Sequence, residues 1–207
     1  SDSGGGAGIQ ADIKSAGACG AYSSTVITAL TAQNTMGVTA IEGTSPRMIS
    51  AQLKAVLEDI GSDAVKIGML HSKEVIDTIS KGLKQYQPEH IVVDPVMVAT
   101  SGDRLLEKNA IEALMTEIIP LAEVITPNMP ELELLLGESV NDVTEFSDYA
   151  KVLAEKFKVS VLLKAGHLQG NTSEDILFDI KTNQITKLSA PRIDTQNTHG
   201  TGCSLSS

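Results

Sequence analysis

Apolar positions along the chain follow two rhythms that take turns. Ile49, Leu53, Val56, Leu57 and Ile60 recur at steps of three and four, which predicts a helix with one buried face. Ser45-Pro46 before them supplies an N-cap and a proline at the first helical position. Ser72 caps a second stripe, Val75, Ile76, Ile79 and Leu83. Others run through Ile9, Ile13 and Ala16 (ended by Gly17 and Gly20), through Ile111, Leu114, Met115 and Ile118, and through Tyr149, Val152, Leu153 and Phe157. Asn128 caps a short leucine-rich helix over 131–136. Between the stripes lie short β-branched runs that predict buried strands: 24–30, 64–67, 91–94, 124–126 and 159–164. Segments 175–180 and 184–188 predict a hairpin about Thr182-Asn183.

Strands that alternate with helices predict a mainly parallel sheet covered on both faces, an α/β fold in three layers. The late hairpin predicts an antiparallel edge. Such sheets bind ligands at the carboxyl ends of their strands. The segments Gly68-Met69, Asp94-Pro95, Thr126-Pro127-Asn128 and Lys164-Ala165-Gly166 fall there. No linker or repeat interrupts the pattern, so residues 1–207 are expected to form one domain. A glycine turn into a helix normally follows a strand, and Ser207 stands where a helix should be starting. A first strand and C-terminal helices outside this sequence are therefore expected.

Composition narrows the function. Hydrophobic residues make up 42 % of the chain, as in a globular protein. The net charge of −10 disfavours nucleic acid and anionic membranes as partners. No apolar run approaches the roughly 18–20 residues of a membrane span, and with no basic segment followed by an apolar one at the opening, no signal peptide is expected. Two isolated cysteines, Cys19 and Cys203, fit a reducing, cytoplasmic setting.

Chemistry concentrates in Asn197-Thr198-His199-Gly200-Thr201-Gly202-Cys203-Ser204. Glycine lets backbone approach a ligand, and successive N–H groups at a helix start can hold an anion such as a transferring phosphoryl group. The pattern alone also fits an ordinary glycine turn.

This segment resembles the signature of the hydroxymethylpyrimidine/phosphomethylpyrimidine kinases (ThiD) of the ribokinase superfamily. The opening, residues 1–12, is similar to that family's opening. So are Lys66-Ile67-Gly68-Met69-Leu70, Asp94-Pro95-Val96-Met97, Ser101-Gly102-Asp103, Thr126-Pro127-Asn128 with Glu131, and Lys164-Ala165-Gly166-His167. The blocks follow the family's order across the whole chain. The resemblance implies a ribokinase-like fold, a homodimer, ATP and Mg²⁺. It implies two transfers: ATP phosphorylates the hydroxymethyl group of an aminopyrimidine, and a second ATP extends the monophosphate to the diphosphate used for thiamine.

The resemblance also implies roles. Cys203 stands where most ribokinase-like kinases carry an aspartate base. A free thiol titrates at about 8.5 and a helix N-terminus lowers that, so Cys203 is expected to serve as base for the first transfer. The other reading of Cys203 is a space-filler beside amides that do the work. The second substrate, a phosphate with a pKa of about 6, needs no base. Gly200, Thr201 and Gly202 are assigned to catalysis with Lys164. Lys164, Gly166, Thr198, Gly200 and Gly202 are assigned to ATP, and Asp94, Asn128 and Glu131 to Mg²⁺. Asn128 and Glu131 also suit an N-cap and a first-turn acid. Gln33 can read an aminopyrimidine edge, since an amide donates and accepts together. Related pyridoxal kinases tend to carry methionine there. Asp2, Gly8, Met69 and Val96 complete the implied substrate pocket. His167 and His199 have no partner acid nearby in sequence and are taken as loop residues. The alternatives are a pyridoxal or pyridoxine kinase and a non-catalytic pyrimidine-binding copy.

Overall fold

A short parallel ladder organises the molecule. In the computed structural model, which describes residues 1–97, 106, 108–140, 146–164, 172–195 and 197–207, β3 (Ala64–Ile67), β4 (His90–Val93), β5 (Val124–Ile125) and β6 (Ser160–Leu163) pair in that order, all parallel. β7 (Thr172–Asp179) joins β6 antiparallel, and β8 (Gln184–Pro191) joins β7 as the expected hairpin. The connections between the parallel strands are helical: α3 (Lys73–Tyr86), then α4 (Lys108–Ala113), which continues as a wider turn over Leu114–Ile118, then α5 (Met129–Leu136) and α6 (Phe146–Phe157).

Local chemistry accounts for these helices. Ser45 accepts from the Met48 N–H ahead of α2 (Pro46–Ala55), and Ser72 accepts from the Val75 N–H ahead of α3. α3 buries Val75, Ile76, Ile79 and Leu83 in a core shared with Ile49 and Leu53 of α2. Asn128 and Glu131 form a reciprocal capping box at α5. On the sheet side, Val93, Ile125, Val161 and Leu163 are fully buried, as strands covered on both faces require.

The predicted strand at 24–30 is corrected. β1 (Ala29–Asn34) starts at its end and pairs antiparallel with β2 (Gly37–Gly43), forming a separate two-stranded sheet. Residues 21–28 adopt neither helix nor strand. Side chains serve part of this segment instead: the Gln52 amide accepts from the Ile27 N–H at 2.9 Å and donates to its carbonyl at 3.2 Å. A β-branched run reports a preference for extended backbone and leaves the identity of the pairing partner open. The hairpin turn uses Gly37 at φ 154°, and a register shift falls between Ala32 and Gln33.

The opening glycines lead into α1 (Gly8–Ala18), and the chain's last helix is α7 (Thr201–Leu205). These two helices pack together, bringing the ends of the sequence to the carboxyl side of the parallel strands.

Candidate active site

Asp94 immediately follows β4, and its N–H donates to the carbonyl of Ile67 in β3. Its carboxylate is buried and takes three donors. Lys164 Nζ lies 2.7 Å from Oδ1, Thr126 Oγ1 donates to Oδ1 at 3.0 Å, and Ser206 Oγ donates to Oδ2 at 3.4 Å. Thr126 follows β5 and Lys164 follows β6, so three adjacent strand ends build one charged cluster. A buried carboxylate persists only with such partners.

Glu131 sits one helical turn into α5 and is 3 % exposed. Its side chain accepts from the Asn128 N–H at 2.8 Å. Burial pushes its carboxyl up to about 7, with Asp94 adding to the rise, while Lys164 and the N–H groups of Asn128 and Met97 oppose it. Asn128 Oδ1 accepts from the Glu131 N–H at 3.0 Å, so its oxygen is committed to the helix cap.

α7 reaches this cluster through Gly202, where a Cβ would stand 3.3 Å from Lys164 Nζ. Gly200 precedes it with φ 82°, and a Cβ there would meet the carbonyl oxygen of Gly6 at 1.6 Å. Only glycine suits that position. Thr198 closes the turn, its carbonyl accepting from the Thr201 N–H and hydroxyl. The first N–H groups of a helix have no partner within it, which leaves this turn with donors for an anion.

Cys203 requires a correction. The expected lowering of its thiol by the helix start is outweighed. Burial pushes the thiol up, with Asp94 and Asp12 adding to it, against Lys66 and the Gly8 N–H.

His199 has an acid partner after all. Its Nε2 lies 2.8 Å from Asp2 Oδ2, across almost the whole sequence. Asp2 also accepts from the N–H groups of Gly4, Gly6 and Ala7. The carboxylate thus ties the opening glycine turn to the segment before α7.

One cleft is lined by Asp2, Gly8, Gln33, Met69 and Val96, and equally by Asp94, Asn128, Glu131, Lys164, Thr198 and Gly200–Cys203. Every site residue assigned above borders it except Gly166. Gly166 and His167, like Ser101-Gly102-Asp103, lie outside the described residues. Gln33 belongs to β1, with its N–H donating to Ser3 Oγ and its Oε1 accepting from Thr31. Sequence reasoning gave no role to Lys66 or Asp12, which form an ion pair at 2.6 Å on the same cleft.

Comparisons with known proteins agree with this geometry. The sequence profile of the phosphomethylpyrimidine kinase family matches residues 2–207. The hydroxymethylpyrimidine/phosphomethylpyrimidine kinase of Rhizobium meliloti (strain 1021) is 50 % identical over 207 residues, covering 100 % of this chain and 77 % of that protein. The crystal structure of a phosphomethylpyrimidine kinase from Clostridium difficile 630 is similar at a TM-score of 0.82 and 46 % identity, covering 90 % of this chain and 80 % of that one. The Bacillus subtilis pyridoxal kinase, solved as an ADP complex, is similar at a TM-score of 0.88 and 34 % identity, covering 100 % of this chain and 78 % of that one.

Proposed function

The chain belongs to the phosphomethylpyrimidine kinase family, with a ribokinase-like fold, and from that premise we propose that it phosphorylates 4-amino-5-hydroxymethyl-2-methylpyrimidine and then its monophosphate, using ATP, for thiamine synthesis. The observation that carries this reading is the junction of Gly202 with the Asp94–Lys164 pair. It sets a turn rich in N–H donors and a lysine ammonium at one point of a cleft that Gln33 also borders. Phosphoryl transfer demands positioned donors and cations around a charged group rather than covalent help from the protein.

In this proposal the α7 turn and Lys164 hold the transferring phosphoryl. Gln33 reads the aminopyrimidine, and Asp2, Gly8, Met69 and Val96 wall its pocket. Asp2 contributes mainly by shaping the glycine turn, since its carboxylate already serves four donors. Cys203 takes the hydroxymethyl proton in the first transfer.

Mg²⁺ fits the residues present. Asp94 and Glu131 are two buried carboxylates close enough to raise Glu131, and a dication relieves that strain. Among the described residues no three His, Cys, Asp or Glu side chains gather as a metal cage. Such a sparse set suits an ion that keeps its water and takes phosphate oxygens. Asp94 and Glu131 would hold it, and it would neutralise charge on the phosphates. Asn128, with its oxygen in the cap, would support Glu131.

The same proposal takes residues 1–207 as part of a single kinase domain acting in the cytoplasm as a homodimer. Among the described residues no helix is long and apolar enough to cross a membrane. Light scattering of the purified protein checks the dimer.

The test is ADP release with ATP, Mg²⁺ and each substrate. Turnover of the pyrimidine and its phosphate supports the proposal. Preference for pyridoxal would transfer the chain to the vitamin B6 kinases, whose B. subtilis member has a similar fold. Tight pyrimidine binding without ADP release would make it a binding copy.

A further inference from the structure

Two lysine–aspartate pairs bracket α7. One is Lys164–Asp94, in the phosphate cluster. The other is Lys66–Asp12, which the proposed chemistry does not use. Lys66 is the third residue of β3, and its side chain is 14 % exposed. A lysine this little exposed is costly unless an acid meets it, and Asp12 of α1 does so at 2.6 Å.

The two pairs meet α7 in the same way. Ser206 Oγ donates to Asp94, and Ser207 Oγ donates to Asp12 at 3.0 Å. Ser207 Oγ also reaches the carbonyl of Cys203 at 2.6 Å, and Ser206 Oγ reaches it at 3.1 Å. Each hydroxyl has one hydrogen to give, for which the Cys203 carbonyl and an aspartate compete, and for Ser206 also the Gly202 carbonyl at 2.9 Å, so the two serines place Cys203 beside both aspartates. The charged groups facing the thiol come from several directions: Lys66 on β3, Asp12 on α1 and Asp94 after β4. Among them Lys66 is the foremost cation.

We propose that Lys66 and Asp12 are a positioning pair for Cys203, in which Asp12 clamps the Lys66 ammonium beside the thiol and limits how much of its charge the thiol feels. This rests on the reading of Cys203 as the base of the first transfer. It adds an electrostatic setting for that base, supplied by the β3 and α1 partners. Removing Lys66 leaves the Asp12 anion unopposed and disfavours thiolate. Removing the charge of Asp12 leaves Lys66 unopposed and favours it. A pair that served only to hold α1 against β3 would disturb the thiol in the same direction whichever partner was lost.

The experiment measures alkylation of Cys203 by iodoacetamide at pH 8, followed by peptide mass spectrometry so that Cys19 is read separately. The thiolate is the reacting species, so the rate tracks its population. Lys66→Met should react roughly threefold more slowly than the parent and Asp12→Asn roughly threefold faster, as a single nearby charge in a partly screened site implies. Opposite shifts support the pair. Shifts of the same sign, or none, overturn it. If Lys66→Met does not fold, Asp12→Asn decides alone: faster alkylation supports the pair, and unchanged or slower alkylation overturns it. The readout needs no turnover. Failure of the kinase assay with intact opposite shifts would sink the proposed substrate while leaving the pair in place.

Discussion

Asp2 and His199 stand 2.8 Å apart, Oδ2 to Nε2, although they lie 197 positions apart in sequence. The contact joins the two glycine-bearing turns that frame the cleft. Burial opposes ionisation of Asp2, but the His199 ring and the N–H groups of Ala7, Gly4 and Gly6 together hold its carboxyl below the ordinary value. Asp2→Asn keeps the shape, removes the charge and sets an NH₂ where only acceptors fit. Both transfers should fall in kcat/KM by about tenfold to a hundredfold, because a small misplacement of the phosphoryl-binding turn is costly. Steady-state kinetics with each substrate check this, and unchanged kinetics would remove Asp2 from the site. A depressed carboxyl contributes stability above its ordinary value of about 4, and that contribution is lost as pH falls through the lower folded value. The parent should therefore lose more stability than Asp2→Asn on acidification below about pH 4.

Gly200 tests the same junction from the other side. Alanine there places Cβ where the Gly6 oxygen already is, at a positive φ that alanine rarely adopts. One of the two turns must move. Gly200→Ala should lose at least about 100-fold in both transfers while the core sheet, which does not include this turn, keeps its circular dichroism. Retention of more than a tenth of the activity would show that the Gly6 contact is dispensable.

The helices and parallel strands were legible because their signals are local. The caps at Ser45, Ser72 and Asn128 and the stripe of α3 need only neighbouring residues. The strand-end acid Asp94 was legible for the same reason. What escaped was pairing. The run at 24–30 is as β-branched as any strand here, yet its ladder belongs to β1 and β2 and begins only at Ala29. His199 looked solitary because its acid lies at the other end of the chain. Lys66 stood in a quoted block without a role, since only the fold brings Asp12 to it. The lowered thiol expected of Cys203 followed from helix geometry alone, and burial, a tertiary property, reversed its direction.

Glu131 predicts a pH dependence of stability. Its folded carboxyl titrates at about 7 against an ordinary value of 4.5. Between those values the folded chain binds more protons than the unfolded one, so this group makes stability fall as pH rises, with the loss complete above about 7. Glu131→Gln can still accept from the Asn128 N–H and carries no charge. In chelator-treated protein, urea unfolding at pH 5 and pH 8 should show a larger drop for the parent than for Glu131→Gln. Equal drops would mean that the burial of Glu131 does not govern its ionisation.

Gln33 bears on substrate choice. It borders the cleft from β1, close to the opening turn through Ser3. Gln33→Met removes a donor–acceptor pair suited to an aminopyrimidine edge and supplies the residue type that related pyridoxal kinases tend to carry. Leaving a buried polar group without its hydrogen-bond partner costs about 1–3 kcal/mol. The ratio of kcat/KM for the pyrimidine to that for pyridoxal should fall by at least about tenfold, measured by competition. An unchanged ratio would assign specificity to other pocket walls.

Cys203 separates the two transfers. With its thiol pushed up by burial, the base form is a minority near neutral pH, so the first transfer should accelerate as pH rises from 6.5 to 9 (a range chosen to span the ordinary thiol value of about 8.5). The second transfer starts from a phosphate that is ionised above about pH 6, and its rate should be nearly flat over the same range. Cys203→Ala should lower the first transfer by about 100-fold, within the span general-base removal covers, and flatten its pH profile, while changing the second by less than about tenfold. Single-turnover rates with each substrate make the comparison free of product release. Equal losses in both transfers, or a pH slope that survives the alanine, would leave the α7 amides and Lys164 as the catalysts and the thiol as a packing group.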